Sequence, residues 1–184
     1  MKNITFIIIG ALVLIIAALS LMKPQAVTKK VGPEKGIPKQ EAVVSKSGFK
    51  IAPEFALKDI SGAEIRLSDF KDKVVIIDFW ATWCPPCKAE IPHFIDLYSQ
   101  YKDQGLEIIG ISLDFGGEKI LPAFVSKNNI NYTILLGGEE VSDLYGGIAA
   151  IPTTFIVDKD GYIRKKYIGY NEKIVFENDI KELL

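Results

Sequence analysis

The sequence predicts an α/β domain in which a mixed central sheet is flanked by helices and preceded by a β-hairpin extension. Val74–Trp80 (VVIIDFW) is a continuous apolar run of strand length, which is typical of a central strand buried on both faces. Helix and strand patterns alternate after it, as in α/β proteins. Near the C-terminus, two strand patterns flank Asp158-Lys159-Asp160-Gly161, which predicts an antiparallel hairpin.

The elements can be predicted in chain order. Phe55–Asp59 and Glu64–Leu67 flank the turn signal Ser61-Gly62, and Leu67–Phe70 is predicted to form a short capped turn. The central strand and a helix that starts near Cys84 come next. The later elements are a strand over Leu106–Leu113, a helix over Glu118–Asn128, a strand over Tyr132–Leu136, a helical turn over 139–145, strands over Thr153–Asp158 and Tyr162–Ile168, and a terminal helix striped by Phe176, Ile180, Leu183 and Leu184.

The helix that follows the central strand has a clear apolar face. Ile91, Phe94, Ile95 and Tyr98 recur at helical spacing, so we expect them to form one buried surface. Pro92 lies among them and lacks a backbone N–H, so we expect it to kink the helix.

The N-terminus predicts a membrane anchor. Residues 4–22 contain 16 apolar residues out of 19 and no charge, enough to cross about 30 Å of hydrocarbon. We therefore predict a retained signal-anchor helix over residues 1–23; a signal peptide cleaved near Ala18-Leu19-Ser20 is the alternative. Residues 24–49 are rich in Lys, Pro and Gly and predict a flexible tether. The folded domain is expected over 50–184.

Charge is distributed unevenly along the chain. Residues 23–50 carry seven Lys and two Glu, and the positive-inside rule applied to them would leave the domain in the cytoplasm. This count conflicts with the extracytoplasmic location that we expect below. Residues 51–184 carry 14 basic and 21 acidic side chains. An excess of acidic groups disfavours polyanions, so we do not expect nucleic acid binding.

The strongest chemical signal is Trp83-Cys84-Pro85-Pro86-Cys87, placed between the central strand and the next helix. Residues three apart share a helix face and are close enough for a disulfide. The helix N-terminus favours an anion, so the Cys84 thiolate is predicted to attack and Cys87 to resolve the mixed disulfide. The alternatives are a static disulfide and a zinc site. Zinc needs three or four ligands, and His93 is the single His of the chain. We therefore expect no metal and no dissociable cofactor, since the Cys pair itself carries the electrons.

Four blocks of the sequence carry a family resemblance: Ala52–Phe55 (APEF), Asp78–Glu90 (DFWATWCPPCKAE), Gly147–Phe155 (GIAAIPTTF) and Asp158–Gly161 (DKDG). In this order they resemble thioredoxin-fold thiol–disulfide oxidoreductases of the membrane-tethered TlpA/ResA-like branch, which serves cytochrome c maturation. The resemblance covers about residues 50–184 and implies a thioredoxin-like fold.

The resemblance implies roles for individual residues. Pro152 matches the proline that is cis in this fold and faces the Cys pair, and the backbone of Ile151 would pair with an extended substrate strand. Asp78 matches the buried acid of thioredoxin, which would accept a proton from Cys87. Many tethered relatives have Asn at that position, and the basic partner of the acid in thioredoxin aligns with Gly110.

Other residues near the motif have two interpretations. Glu90 matches an acid that tethered relatives place near the site, where it would tune the thiol pKa; a solvated helix residue is the alternative. Trp83, Pro85 and Pro86, together with Ile151 and Pro152, are the candidate substrate-binding residues. Trp80 is predicted to belong to the core. His93 is expected to have an ordinary packing or surface role.

The predicted function is extracytoplasmic dithiol–disulfide exchange, in the direction of disulfide reduction. The resemblance implies apocytochrome c as the protein substrate and a membrane thiol-relay protein as the electron donor. General reduction or oxidation of periplasmic disulfides is an alternative. A thiol peroxidase is disfavoured because its essential Thr would replace Ala81, three residues before Cys84. A copper-delivery protein is disfavoured because such carriers use Cys-x-x-x-Cys with a distant His.

Overall fold

The computed structural model describes residues 48–184. The predicted anchor helix over residues 1–23, and the predicted tether over 24–49 except for its last two residues, lie outside the described residues. Within 48–184, no helix combines the length and apolarity that crossing a bilayer requires.

Two sheets form the framework of the domain. The main sheet has five strands in the order β5-β4-β3-β6-β7; β3, β4 and β5 run parallel, and β6 and β7 each run antiparallel to their preceding neighbour in the sheet. A separate antiparallel pair, β1-β2, is the predicted hairpin extension. The strands are β1 Ala56–Lys58, β2 Glu64–Arg66, β3 Val74–Trp80, β4 Leu106–Ser112, β5 Thr133–Leu136, β6 Thr153–Val157 and β7 Ile163–Ile168. The predicted mixed sheet is therefore confirmed.

Helices connect β3 to β4, β4 to β5 and β5 to β6, and another helix follows β7. They are α1 Pro85–Tyr101, α2 Gly117–Lys127, α3 Glu139–Leu144 and α4 Lys173–Leu183, with short 3-10 turns at Leu67–Phe70 and Lys102–Gln104. The first hairpin strand is shorter than predicted because Asp59 belongs to the turn. Its carboxylate accepts hydrogen bonds from the N–H groups of Ser61 at 2.8 Å and Ala63 at 2.9 Å, which satisfies the turn locally.

Strand β3 separates two hydrophobic cores and is buried along its whole length. Val74, Ile76 and Trp80 belong to the core that also contains side chains of α1 and α4. Val75, Ile77 and Phe79 belong to the core on the other side. Side chains alternate along a strand, so Asp78 lies on the face covered by α1. Residues 48–184 supply extensive cores on both sides of the sheet, so we expect them to fold as an independent domain.

The buried face of α1 is rotated from the predicted one. Ile91 and Phe94 are buried as predicted, but Ile95 and Tyr98 are only half-buried. The face is completed by Cys87, Glu90, Leu97 and Tyr101. Positions 87, 91, 94, 97 and 101 follow one another at intervals of three or four residues, and Glu90 lies three residues after Cys87, as the helical repeat places residues of one face. The prediction missed this register because Glu90 is charged. Pro92 lies inside α1 on its exposed side.

Candidate active site

The two cysteines lie where β3 ends and α1 begins. They form a disulfide. Cys84 is the residue that caps the N-terminus of α1, and its sulfur accepts a hydrogen bond from the Cys87 N–H at 3.2 Å. Pro85 and Pro86 occupy the first two helical positions, where an N–H would have no helical partner. The Cys84 sulfur is thus held at the end of a helix that stabilises a thiolate.

The two sulfur positions differ in their relation to the helix more than in their exposure. Cys84 is 3% exposed and Cys87 is 1% exposed. The small difference means that the distinction between an attacking and a resolving thiol depends on position. Only Cys84 lies at the helix end, where its sulfur accepts an N–H bond.

The loop before β6 faces the disulfide. The Ile151–Pro152 peptide bond is cis, the geometry that the resemblance implies for Pro152. The carbonyl oxygen of Ile151 lies 3.7 Å from the Cys84 sulfur. A disulfide sulfur has no proton to donate, so this is a contact here and becomes a possible hydrogen bond in the dithiol. The Pro152 carbonyl accepts a bond from the Gly169 N–H at 2.8 Å, which ties this loop to the end of β7.

Asp78 lies buried in the middle of β3. One of its oxygens accepts a hydrogen bond from the Thr154 hydroxyl at 3.1 Å. Burial raises the pKa of Asp78 well above its ordinary value, and the charge of Glu90 raises this pKa further. The backbone partner of Asp78 on β4 is Gly110, at the position where thioredoxin would have its basic residue.

Gly110 leaves no room for such a basic residue. A Cβ atom at this position would lie 2.8 Å from Ile134 Cδ1 and 2.9 Å from Trp80 Nε1. These contacts are closer than packed carbon atoms tolerate. Asp78 therefore has another acid, and not a cation, as its main electrostatic neighbour.

Glu90 is fully buried, with 0% of its surface exposed, so the alternative of a solvated helix residue is wrong. One oxygen accepts a hydrogen bond of 2.6 Å from the N–H of Asn171, in the loop between β7 and α4. The other oxygen is buried and has no hydrogen-bond partner among the described residues. Burial raises the pKa of Glu90 to about 7, although the Asn171 bond opposes the rise. Glu90 is therefore present in both protonation states near neutral pH.

Tyr132 connects the two acids electrostatically. It is buried, and burial together with the charges of Asp78 and Glu90 raises its pKa well above the ordinary value. One turn of α1 separates Glu90 from Cys87, on the same helix face. A proton released by a thiol of the pair therefore has two buried carboxyl groups nearby that favour the neutral form.

The surface beside the disulfide is apolar. Trp83 is 66% exposed, so most of its ring is available for contact, and Pro85 and Pro86 are also exposed. Trp80 is buried as predicted. His93 is half-buried, with its ring 5.9 Å from that of Tyr170. Within 48–184, no three or more His, Cys, Asp or Glu side chains are grouped to hold a metal ion.

A hydrogen-bond network that was not predicted from the sequence holds the loop before Cys84. Asp114, after β4, accepts bonds from the Thr82 N–H at 2.9 Å and the Thr82 hydroxyl at 2.7 Å. Its carboxylate also accepts a bond of 2.8 Å from the Ser112 hydroxyl. Asp114 is nearly buried, and such charge-assisted bonds are strong. The available signal was an Asp just after a buried parallel strand, at the edge of the sheet where Cys84 lies.

This chain is similar to known thiol–disulfide oxidoreductases. The model of the AhpC/TSA family matches residues 50–166. Thiol-disulfide oxidoreductase ResA of Bacillus anthracis is 35% identical over 135 residues, which cover 73% of this chain and 77% of the relative. ResA of Oceanobacillus iheyensis is 41% identical over 119 residues, covering 62% of this chain and 61% of the relative.

Solved structures show the same similarity. A putative thiol:disulfide interchange protein DsbE from Chlorobium tepidum superimposes with a TM-score of 0.66 at 29% identity, covering 72% of this chain and 94% of the other. StoA from Bacillus subtilis gives a TM-score of 0.60 at 27% identity, covering 70% and 96%. The chain therefore belongs to the AhpC/TSA family with a thioredoxin-like fold and is a thiol–disulfide oxidoreductase of the ResA/DsbE type.

Proposed function

We propose that this enzyme reduces protein disulfides outside the cytoplasm, with the Cys pair of apocytochrome c as its substrate during cytochrome c maturation. The observation that carries the proposal is the 3.7 Å contact between the Cys84 sulfur and the Ile151 carbonyl. A substrate strand that pairs with the Ile151 backbone would bring its own sulfur next to Cys84. The similarity to proteins named ResA supports the same choice.

The exchange proceeds in two steps. The Cys84 thiolate attacks one sulfur of the substrate disulfide; a Cys84–substrate bond forms, and the other substrate sulfur leaves as a thiolate. The Cys87 thiolate then attacks the Cys84 sulfur, which forms the internal disulfide and releases the second substrate thiolate. The substrate gains two electrons and the Cys pair loses two. The proton that Cys87 loses passes to a buried carboxylate, Asp78 or Glu90, and the raised pKa of each makes it a stronger base than an ordinary carboxylate.

The proposed location and partners follow from the N-terminal sequence and from the family. Residues 1–23 would anchor the domain to the outer face of the membrane, and a membrane thiol-relay protein would return two electrons to the Cys84–Cys87 disulfide. A thiol reagent that cannot cross membranes should then label reduced Cys84 in intact spheroplasts. Labelling only after lysis would contradict this location and favour the orientation that the Lys count predicts.

Trapping in the native cell tests the substrate. The variant Cys87→Ser should accumulate mixed disulfides between Cys84 and c-type apocytochromes, identified by mass spectrometry and released by dithiothreitol. The double variant Cys84→Ser/Cys87→Ser is the matched control and should trap none. If the trapped proteins include no c-type cytochrome, the proposed substrate is wrong while the exchange activity stands.

The midpoint potential tests the direction of the reaction. A reductant should lie nearer to thioredoxin, at about −270 mV, than to the oxidant DsbA, at about −120 mV. A value near that of DsbA would favour disulfide formation in substrates and contradict the reductive proposal.

A further inference from the structure

We propose that the groove between the β4–α2 loop and the β5–α3 loop is a second docking site for the protein substrate, which binds a basic and apolar segment close to the substrate disulfide. This proposal depends on the exchange activity of Cys84 and does not depend on the identity of the substrate protein. We refer to this surface as the Phe115 groove.

The Phe115 groove has a volume of about 400 Å³ and is lined largely by apolar and glycine atoms. Leu113, Leu136 and Gly137 lie along it, and the Phe115 side chain is fully exposed to solvent. Gly137 has no room for a side chain on its inner side, because a Cβ atom there would lie 2.5 Å from Ile111 Cγ2 and 2.7 Å from the Ser112 carbonyl oxygen. An exposed aromatic ring beside an apolar groove is typical of an anchor for a binding partner.

The groove lies beside the reactive disulfide. Asp114 lines it and accepts two hydrogen bonds from Thr82, two residues before Cys84. Phe115 follows Asp114 in the chain, so it lies within about 20 Å of Cys84, a span that about six residues of extended chain cover. A substrate strand bound at Ile151 could therefore reach the groove with the residues that flank its own cysteines. The exposed Trp83 ring adds apolar surface near the disulfide.

The charges of the groove define the class of segment that fits. Among the described residues, the charged side chains that line it are all acidic: Asp114, Glu118 and Glu139. Asp114 is occupied by its bonds to Thr82 and Ser112, whereas Glu118 and Glu139 are exposed. A segment with Lys or Arg next to an apolar side chain can pair its cation with these carboxylates and pack its apolar side chain against the Phe115 ring. An acidic segment would be repelled.

Two disulfide peptides test this assignment. Both carry the same Cys pair, one flanked by Lys and Leu and the other by Glu and Leu, and glutathione disulfide serves as a substrate too small to reach the groove. The full chain, purified in detergent, should show a lower KM for the basic peptide. In Phe115→Ala, the ratio of kcat/KM for the basic peptide to that for glutathione disulfide should fall about tenfold, the loss expected of an aromatic anchor. Glu118→Gln should reduce the difference in KM between the basic and the acidic peptide.

Matched controls are available on exposed sites away from the groove. Ile120→Ala removes an exposed apolar side chain of α2, and Glu182→Gln removes an exposed carboxylate near the C-terminus. Both variants should keep the natural protein's preference for the basic peptide over the acidic one. Equal ratios in Phe115→Ala and Ile120→Ala, or a preference for the acidic peptide, would overturn the docking site while leaving the exchange activity intact. Failure to reduce any of the three substrates would instead overturn the exchange activity on which the proposal depends.

The Lys-rich residues 23–50 of this chain are a competing occupant. Repeating the peptide assay with residues 48–184 separates the two occupants. We expect the fragment and the full chain to have similar KM values for the basic peptide. A KM that falls markedly in the fragment would show that the chain covers its own groove and would overturn the assignment to substrate.

Discussion

The buried Glu90 predicts an unusual loss of stability as the pH rises. Its pKa is raised from the ordinary 4.5 to about 7 in the folded protein, so the folded state binds this proton more tightly than the unfolded state does. The stabilisation is complete below about pH 4.5 and is lost as the pH rises through about 7. Asp78 contributes with the same sign because its pKa is also raised.

The size of the effect follows from the shift. One pKa unit corresponds to about 1.4 kcal/mol, so the shift of Glu90 from 4.5 to about 7 gives at most about 3 kcal/mol between pH 4 and pH 8. Glu90→Gln keeps a carbonyl oxygen to accept the Asn171 bond but cannot ionise. The variant should therefore be more stable than the natural protein at pH 8 and similar to it at pH 5.

Guanidinium chloride unfolding of oxidised residues 48–184 measures this difference. The fluorescence of buried Trp80 reports unfolding, and the free energies of unfolding are compared between pH 5 and pH 8. Glu182→Gln is the matched control, because it removes an exposed carboxylate and should leave the pH dependence unchanged. If Glu90→Gln and the natural protein lose the same stability between pH 5 and pH 8, the reasoning from Glu90 burial is refuted.

Three further predictions concern the neighbours of the disulfide. Asp78→Asn should raise stability near neutral pH by removing a buried ionisable group, yet slow insulin disulfide reduction; an unchanged rate would remove Asp78 from the mechanism. Asp114→Ala should lower the free energy of unfolding by about 2 kcal/mol, because the bonds of Thr82 to a charged acceptor are lost, and a double-mutant cycle with Thr82→Val should show strong coupling. Additive effects would contradict a direct interaction. Gly110→Ala should cost about 1–3 kcal/mol, because its Cβ would collide with the Trp80 ring; a neutral effect on the unfolding midpoint would show that the ring can move aside.

The fold was largely predictable because its signals are local. The apolar run Val74–Trp80 appears as a strand with the predicted ends, since burial on both faces makes every residue apolar except Asp78. Helix α1 begins at the Cys motif as predicted, because Cys84 caps its N-terminus and Pro85 and Pro86 fit its first two positions. The ends of β1 and β7 differ by one residue from the predictions. Side chains in the turns, such as Asp59, accept hydrogen bonds from backbone N–H groups that could otherwise bond to the neighbouring strand.

The site was less predictable because its energetics depend on contacts between distant segments. The sequence offers Glu90 as a charged residue in a helix, and charged residues are seldom fully buried. Its burial depends on the Asn171 N–H, 81 residues away, which no local pattern reveals. Asp114 is a similar case, since its partner Thr82 is 32 residues distant.

The pattern of apolar residues in α1 could have placed Glu90 in the interior. Cys87, Ile91, Phe94, Leu97 and Tyr101 are all buried, and Glu90, three residues after Cys87 and four before Phe94, lies among them on the same helix face. A carboxyl group on that apolar face is either a defect or a functional group, because an unpaired buried acid costs free energy. Glu90 lies one turn from the resolving cysteine, and its pKa of about 7 suits proton transfer near neutral pH. This role accounts for a buried acid whose burial costs free energy. The departure from apolar periodicity is therefore itself evidence that the face of α1 below the disulfide serves the exchange reaction as well as the core.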